Sequence, residues 1–155
     1  MSAIEQRIEE AGYSLPAVGK PLAAYVPTMR DGDNVYTSGQ LPMVDGAMPR
    51  TGKVGAEVSA DEATADARQC VLNALAAIDA EIGSLDRITR IVKVVGFVAS
   101  AEGFHGQPGV INGASNLLGE IFGDAGRHAR SAVGVPVLPL GAAVEVDAIV
   151  AVRAL

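Results

Sequence analysis

The sequence predicts an α+β domain in which two long helices pack on one face of a mixed β-sheet. Two segments carry apolar residues at i, i+4, i+7 and i+11, which is the spacing of one helical face. Five further segments have the extended or β-branched character of strands. The order is β-hairpin, helix, strand, helix, strand, strand, and a single sheet covered by both helices is the most economical packing of those elements.

Length and composition fit one domain. The chain has 155 residues, of which 49% are apolar and 19% charged, and this is a core-forming composition. No apolar run approaches the roughly 20 residues that a membrane span needs, and the polar start lacks the layout of a signal peptide. We therefore expect a soluble cytoplasmic protein without a membrane segment, with an N-terminal leader over residues 1–20 and a single domain over residues 21–155.

The first elements are predicted from turn residues. In the leader, a short helix should stop near Gly12. Ala23 to Pro27 has extended character, and Asp31 to Asn34 has turn chemistry because Gly and Asn tolerate positive φ. The β-rich run Val35 to Ser38 then completes a hairpin, and Asp45-Gly46 indicates a second tight turn.

The first long helix has clear end signals. Ser59 and Glu62 match a capping box, in which the serine caps the third backbone N–H and the glutamate reaches back. Gly83 supplies the stop. The apolar stripe between them consists of Val71, Leu75, Ile78 and Ile82.

The remaining elements follow the same rules. A strand is predicted from Ile88 to Ala99 and a helix from Pro108 to Phe122, with proline at a favoured first helical position. Two strands, Ser131 to Val137 and Ala142 to Arg153, end the chain. One face of the last strand is apolar, and the other mixes apolar and charged residues, which suggests that a partner subunit covers it.

The sequence lacks the residue patterns that several kinds of functional site require. His105 and His128 have no His or Cys at metal-ligand spacing, so we interpret them as loop or surface residues and expect no metal site. The single cysteine, Cys70, is expected to be a buried structural thiol. The glycines form neither a P-loop nor a dinucleotide fingerprint. The net charge of −6 and the 4% aromatic content count against nucleic-acid binding.

Arg130 and Glu145 remain as candidates for chemistry. They lie on the two C-terminal strands, which can run side by side if residues 137–142 connect them. A guanidinium binds a carboxylate through two parallel hydrogen bonds, and a nearby carboxylate can activate a water. The pair would suit hydrolysis of a small carboxylate-bearing substrate. The alternative, a salt bridge at the strand edge, is favoured on composition and spacing alone.

At these residues the sequence resembles the RidA family, also called YjgF or L-PSP. Arg130-Ser131-Ala132-Val133, Leu138-Pro139 and Val144 to Ile149 resemble its C-terminal signature. Tyr36 to Pro42 resembles its strand ending in Ser-Gly-Gln, and Val92 to Val98 resembles its central strand. The resemblance runs from about Pro21 to Val152.

The resemblance implies a chorismate-mutase-like fold and a homotrimer with clefts between subunits. It also implies an activity, the hydrolysis of enamines and imines such as 2-aminoacrylate and 2-iminopropionate to 2-keto acids and ammonia, without cofactor or metal. A non-catalytic module that binds small carboxylates is the alternative. Endoribonuclease or translation-inhibitor activity, a label on parts of the family, is the third, and the acidic balance argues against it.

The resemblance also implies roles for individual residues. Arg130 would clamp the substrate carboxylate, and Glu145 would position water and move protons. The substrate-binding residues would be Tyr25, Ser38, Gly39, Asn116 and Ala132. Asn116 matches the family asparagine only with a short gap after Phe122. Ala132 stands where many members have cysteine, so only a backbone contact carries over. The longer leader, the Gly-rich connection over residues 99–109, and His128 and Gly134 beside the arginine place the chain in a divergent branch.

Overall fold

The computed structural model describes residues 1–20 and 23–154. Within them, a five-stranded mixed sheet carries the two predicted long helices on one face, together with a short N-terminal helix. The helices are α1 (Ala3–Glu10), α2 (Ala60–Ile82) and α3 (Gln107–Phe122). The strands are β1 (Thr28–Asp31), β2 (Asn34–Thr37), β3 (Ile88–Ala99), β4 (Ala129–Val135) and β5 (Val144–Val152). The predicted domain limits at residues 21 and 155 lie outside the described residues.

The N-terminal hairpin forms, but its first strand does not lie at Ala23 to Pro27, where the sequence pattern predicted it. β1 begins at Thr28, and residues 23–27 lie in bends before it. The turn explains the difference: Asp31 pairs directly with Asn34, so only two residues form the loop. Such a tight turn requires the strand to continue up to the turn itself. The second predicted turn is confirmed, since Val44 and Ala47 exchange both backbone hydrogen bonds around Asp45-Gly46.

Helix α2 has the predicted ends. The Ser59 side chain accepts from the backbone N–H of Glu62, and the Glu62 side chain accepts from the backbone N–H of Ser59. Gly83 ends the helix in the left-handed region, with φ of 81°. The capping box and glycine stop therefore fix both ends of the longest helix locally.

The strand order is β1-β2-β5-β3-β4. The predicted side-by-side placement of the two C-terminal strands is wrong, because β3 lies between them and pairs with both. Helix α3 returns the chain so that β4 runs parallel to β3, which is the crossover geometry of a βαβ unit. β5 then pairs antiparallel on the other side of β3. Arg130 and Glu145 consequently stand on strands that do not touch.

The two faces of the sheet differ sharply. The helix-covered face of β5 is fully apolar and buried, and it consists of Val144, Val146, Ala148, Val150 and Val152. The other face has no helix over it in the described residues. It leaves Met29, Tyr36 and Val133 exposed by 60%, 41% and 43%. We call this second surface the open face. Apolar sheet surface of this kind is normally covered by another element or subunit.

The leader contains the predicted short helix, and this helix belongs to the packed core. Ser2 and Glu5 form a capping box at its start, and Ile8 is fully buried. The backbone N–H groups of Ala3 and Ile4 donate to the Asp86 carboxylate at 3.0 and 2.9 Å. The first turn is therefore held against the segment between α2 and β3.

Candidate functional site

Arg130 lies on the edge strand β4 and is held against α3 by neutral groups. Its Nη1 donates to Asn112 Oδ1 at 2.7 Å and to Ser115 Oγ at 3.2 Å, and its Nη2 approaches the Pro108 carbonyl oxygen at 3.4 Å. These contacts use three of the five N–H donors of an arginine. The Nε–H and one Nη2–H stay available, and a planar fork of this kind binds a carboxylate.

The charge of Arg130 has no carboxylate partner in residues 1–20 and 23–154. The ion pair found among those residues joins Arg50 to Asp66, far along the chain. The salt-bridge interpretation of Arg130 and Glu145 is therefore not supported. The half-buried guanidinium is held by neutral partners alone, so its charge is not neutralised by these contacts.

The asparagine beside Arg130 is Asn112, four residues before the one selected from the resemblance. Asn112 and Ser115 are three positions apart on α3, so they lie on the same helical face, toward β4. Asn116 is exposed and lines a groove between α2 and α3 with Thr64 and Arg68. The i, i+3 spacing of two polar residues was the signal in the sequence that could have identified Asn112 and Ser115.

Ala132 lies two residues beyond Arg130 on β4 and packs partly against the core. Because side chains alternate along a strand, Ala132 and Arg130 share one face. Position 132 therefore carries only a methyl group on the face of β4 from which Arg130 projects.

Glu145 packs against Gly39 on the other side of the molecule. A Cβ at residue 39 would lie 2.5 Å from Glu145 Oε1 and 2.9 Å from its Cδ. The approach is fixed by the neighbouring residues Gln40 and Val146, which exchange backbone hydrogen bonds of 2.8 and 3.0 Å. Only glycine leaves room for the Glu145 carboxylate in this position.

Burial raises the pKa of the half-buried Glu145 above its ordinary value, and the nearby Asp147 carboxylate raises it further. Both effects disfavour the charged form. Asp147 stands two residues along β5 on the same face. Its own pKa is also raised, because burial outweighs the opposing effect of the Lys93 charge. A carboxyl group with a raised pKa exchanges protons closer to neutral pH, as an acid–base group requires.

Tyr25 and Ser38 border an open cleft of about 510 Å³, together with Met29 and Tyr36. Ser38 Oγ donates to the Val26 carbonyl oxygen at 2.6 Å, which fixes the Tyr25 segment beside β2. Ser38 is also the chain neighbour of Gly39. Tyr25, Ser38, Gly39 and Glu145 therefore form one group, which we call the Glu145 half-site.

Arg130, Asn112, Ser115 and Ala132 form a second group, which we call the Arg130 half-site. Arg130 contacts α3 and so lies on the helix-covered side of the sheet. Glu145 alternates with the buried Val144 and Val146 and so lies on the open face. One chain therefore places the two half-sites on opposite faces of its sheet, with β3 between the strands that carry them.

His128 joins the Arg130 half-site through Ser115. Its Nε2 lies 2.9 Å from Ser115 Oγ, and its Nδ1 lies 2.6 Å from the Gly126 carbonyl oxygen. The sequence interpretation of His128 as an isolated loop or surface residue missed this contact. Its position two residues before Arg130 was the available signal, because residues two apart in an extended segment share a face.

Other predicted features can be placed as well. Cys70 is fully buried in α2, and burial raises the pKa of its thiol. Among residues 1–20 and 23–154, no three His, Cys, Asp or Glu side chains are grouped so that they could hold a metal ion. No helix in those ranges combines the length and apolar character that a membrane span requires.

Comparison with known proteins gives consistent results over almost the whole chain. The family model described as "YjgF/chorismate mutase-like, putative endoribonuclease" matches residues 5–151. The chain is 44% identical over 148 residues to Protein TCP17 of Trypanosoma cruzi, covering 95% of this chain and 92% of that protein.

Solved structures give the same picture. Protein Atu1372 of Agrobacterium tumefaciens, of unknown function, is 46% identical with a TM-score of 0.92, covering 97% of this chain and 93% of that one. A Shewanella oneidensis protein described as a putative endoribonuclease is 35% identical with a TM-score of 0.93, covering 97% and 100%. A Vibrio vulnificus protein described as a putative translation initiation inhibitor is 28% identical with a TM-score of 0.65, covering 88% and 94%.

Proposed function

The chain belongs to the YjgF/chorismate-mutase-like family, and on that premise we propose that it hydrolyses reactive enamines and imines to 2-keto acids and ammonia. Substrates would be of the 2-aminoacrylate and 2-iminopropionate type. The observation that carries the proposal is Arg130, a cation held by the neutral side chains of Asn112 and Ser115, with donors left free.

Arg130 is proposed to clamp the substrate carboxylate. Its free Nε–H and Nη2–H would donate to the two carboxylate oxygens, as guanidinium groups do in bidentate pairs. Asn112 and Ser115 fix the guanidinium from the opposite side, so little side-chain entropy is lost on binding. The backbone at Ala132 would contact the same substrate on the strand.

Glu145 is proposed to position the attacking water and to move protons. The water oxygen adds to the C=N carbon while Glu145 takes a water proton and delivers it to nitrogen. The resulting carbinolamine then loses ammonia and leaves the carbonyl of the keto acid. An enamine first gains a proton at its β-carbon and loses one from its nitrogen to become the imine. The raised pKa of Glu145 suits a group that both accepts and returns a proton.

A complete site is proposed to need two copies of the chain. The half-sites lie on opposite faces of one sheet, whereas a homotrimer with clefts between subunits would join the Arg130 half-site of one copy to the Glu145 half-site of the next. The uncovered apolar surface at Met29, Tyr36 and Val133 supports an assembly through the open face. Tyr25 and Ser38 would line the substrate cleft, and Gly39 would offer its backbone.

The experiment is a coupled hydrolysis assay. An amino-acid oxidase or a threonine dehydratase generates the imine, semicarbazide traps what remains, and keto-acid release is followed with wild-type and Arg130→Ala proteins. We expect faster release with the wild type alone. Equal turnover by the variant would remove the clamp from the mechanism. Carboxylate binding by the wild type without any acceleration would instead establish the non-catalytic binding module.

The description of the Shewanella oneidensis relative as a putative endoribonuclease raises RNA cleavage as a second activity. The chain carries 18 acidic against 12 basic residues, and the Glu145 half-site adds a carboxylate next to Asp147. This charge repels a phosphate backbone, which favours the imine over RNA as substrate. RNA cleavage that depends on both Arg130 and Glu145 would reverse this preference.

A further inference from the structure

The hydrogen bonds of His128 determine where its protons are. The Gly126 carbonyl oxygen can only accept, so the Nδ1 that lies 2.6 Å from it carries a proton. In a neutral imidazole the other nitrogen then has to accept. Nε2 therefore accepts from the Ser115 hydroxyl at 2.9 Å.

This arrangement fixes the direction of the Ser115 hydroxyl. Ser115 Oγ accepts from Arg130 Nη1 at 3.2 Å and donates its only proton to His128 Nε2. When His128 gains a second proton, Nε2 becomes a donor to Ser115 Oγ, and the hydroxyl proton is released to point elsewhere.

We propose that His128, linked to Arg130 through Ser115, forms a proton-linked switch for the carboxylate bound at Arg130. Protonation of His128 adds a positive charge two hydrogen bonds away from the guanidinium that holds the carboxylate. The added charge favours the bound anion, so binding takes up a proton from solvent. His128 is thus a positioning residue that makes substrate affinity depend on pH. The inference rests on the carboxylate clamp in the proposed function.

The surrounding charges do not offer a competing partner for the ring. The charged groups on the neighbouring elements are Glu120 on α3, Asp124 in the 123–126 turn, Arg90 and Lys93 on β3, and Arg127 and Arg130 on its own segment. Of these, Arg130 is the group that hydrogen bonds link to His128, through Ser115. Histidine is also the side chain whose ordinary protonation falls near neutral pH.

The test measures pyruvate binding by titration calorimetry at several pH values. At about pH 6.5, where histidines commonly titrate, two buffers of different ionisation enthalpy report how many protons are taken up. The variants are His128→Gln and, as the matched control, His105→Gln, which changes the exposed histidine outside both half-sites. We expect proton uptake and at least about fivefold tighter binding at low than at high pH in the wild type and His105→Gln. Both effects should be lost in His128→Gln.

A second measurement does not depend on the variant folding. The ring signals of the two histidines are followed by NMR as pyruvate is added to the wild type near pH 6.5. The His128 signals should move toward their protonated positions while the His105 signals stay in place. If pyruvate binds and the ring signals of neither histidine move, the switch is overturned.

The outcomes separate this inference from the proposed function. Pyruvate binding with equal proton uptake in the wild type and His128→Gln overturns the switch and leaves the Arg130 clamp standing. Absence of pyruvate binding at every pH overturns the clamp and the switch together. Proton-linked binding through His128 without imine hydrolysis supports the switch while the proposed enzymatic activity fails.

Discussion

The carboxylate of Glu145 occupies the space that a side chain at Gly39 would fill, with Oε1 2.5 Å from the position of that missing Cβ. The glycine of the Ser-Gly-Gln segment is thereby tied to the acid on β5. Because residue 39 has no side chain, the Glu145 carboxylate can occupy this space.

We predict that Gly39→Ala lowers imine hydrolysis at least about tenfold while costing no more than about 1 kcal/mol of unfolding free energy. The new methyl group meets the flexible end of Glu145, so the carboxylate moves and the fold adapts. Assay turnover and urea unfolding measure the two quantities. Gly119→Ala on α3 is the control, since its Cβ meets nothing within 4 Å and alanine favours a helix. Full activity in Gly39→Ala would show that the Glu145 position is unimportant.

Asn112 and Asn116 provide a matched pair of substitutions. Asn112→Ala removes the 2.7 Å hydrogen bond to Arg130, and a bond to a charged group contributes about 1.5–3 kcal/mol. We expect kcat/KM for a carboxylate substrate to fall by about tenfold or more. Asn116→Ala, in the groove between the helices, should change it less than about twofold. The reverse order would support Asn116, the asparagine chosen from sequence resemblance, over Asn112.

Two inactive variants should complement each other if the site lies between chains. Arg130→Ala and Glu145→Gln are unfolded together in equal amounts and refolded. In a cyclic trimer, three quarters of the assemblies are mixed, and each mixed trimer has one intact site, so about a quarter of wild-type activity should return. Separately refolded variants stay inactive. No recovery, with mixed trimers verified by mass, would place the whole site within one chain.

From the buried carboxyl group of Asp66 we predict that the free energy of unfolding depends on pH. Burial raises its pKa to about 6 from 3.8, although Arg50 lowers it. Between about pH 4 and pH 6 the folded chain keeps a proton that the unfolded chain has lost, so the free energy of unfolding falls as pH rises. The shift corresponds to about 1–3 kcal/mol.

Urea unfolding of the wild type and Asp66→Asn between about pH 4.5 and 7.5 isolates this effect, because all other titrating groups are common to both. The wild type should lose stability relative to the variant as pH rises through this range. Parallel pH curves for the two proteins would contradict the raised pKa.

Cys70 should be unreactive in the folded protein. Its side chain is fully buried and burial raises the pKa of the thiol, so little nucleophilic thiolate is present or accessible. A colorimetric disulfide reagent should label the wild type only after addition of denaturant. The control is Ala132→Cys, which places a thiol at a partly exposed position of β4 and should be labelled in the native state. Rapid labelling of native wild type would rule out the buried thiol.

Much of the fold could be predicted from local patterns. Ser59 with Glu62 and Gly83 fixed the ends of α2, and the apolar stripe with Pro108 placed α3 within one residue. These signals act over a few residues, through caps and helical periodicity. The first strand was predicted too early in the chain, because the residue pattern of 23–27 does not differ clearly from that of Thr28 to Asp31. Only the pairing of Asp31 with Asn34 shows which of the two segments is the strand.

By itself the sequence determined the element types, the apolar faces and the resemblance to the family, from which Arg130 and Glu145 were proposed as site residues. Only the tertiary structure decided how these residues are grouped. The α3 crossover puts β3 between β4 and β5, which separates Arg130 from Glu145 on opposite faces of the sheet. Packing of α3 on β4 also placed Asn112 beside Arg130 and joined His128 to Arg130 through Ser115. Contacts between residues distant along the chain depend on which strands become neighbours in the sheet, and for strands joined by a long crossover no local pattern decides this.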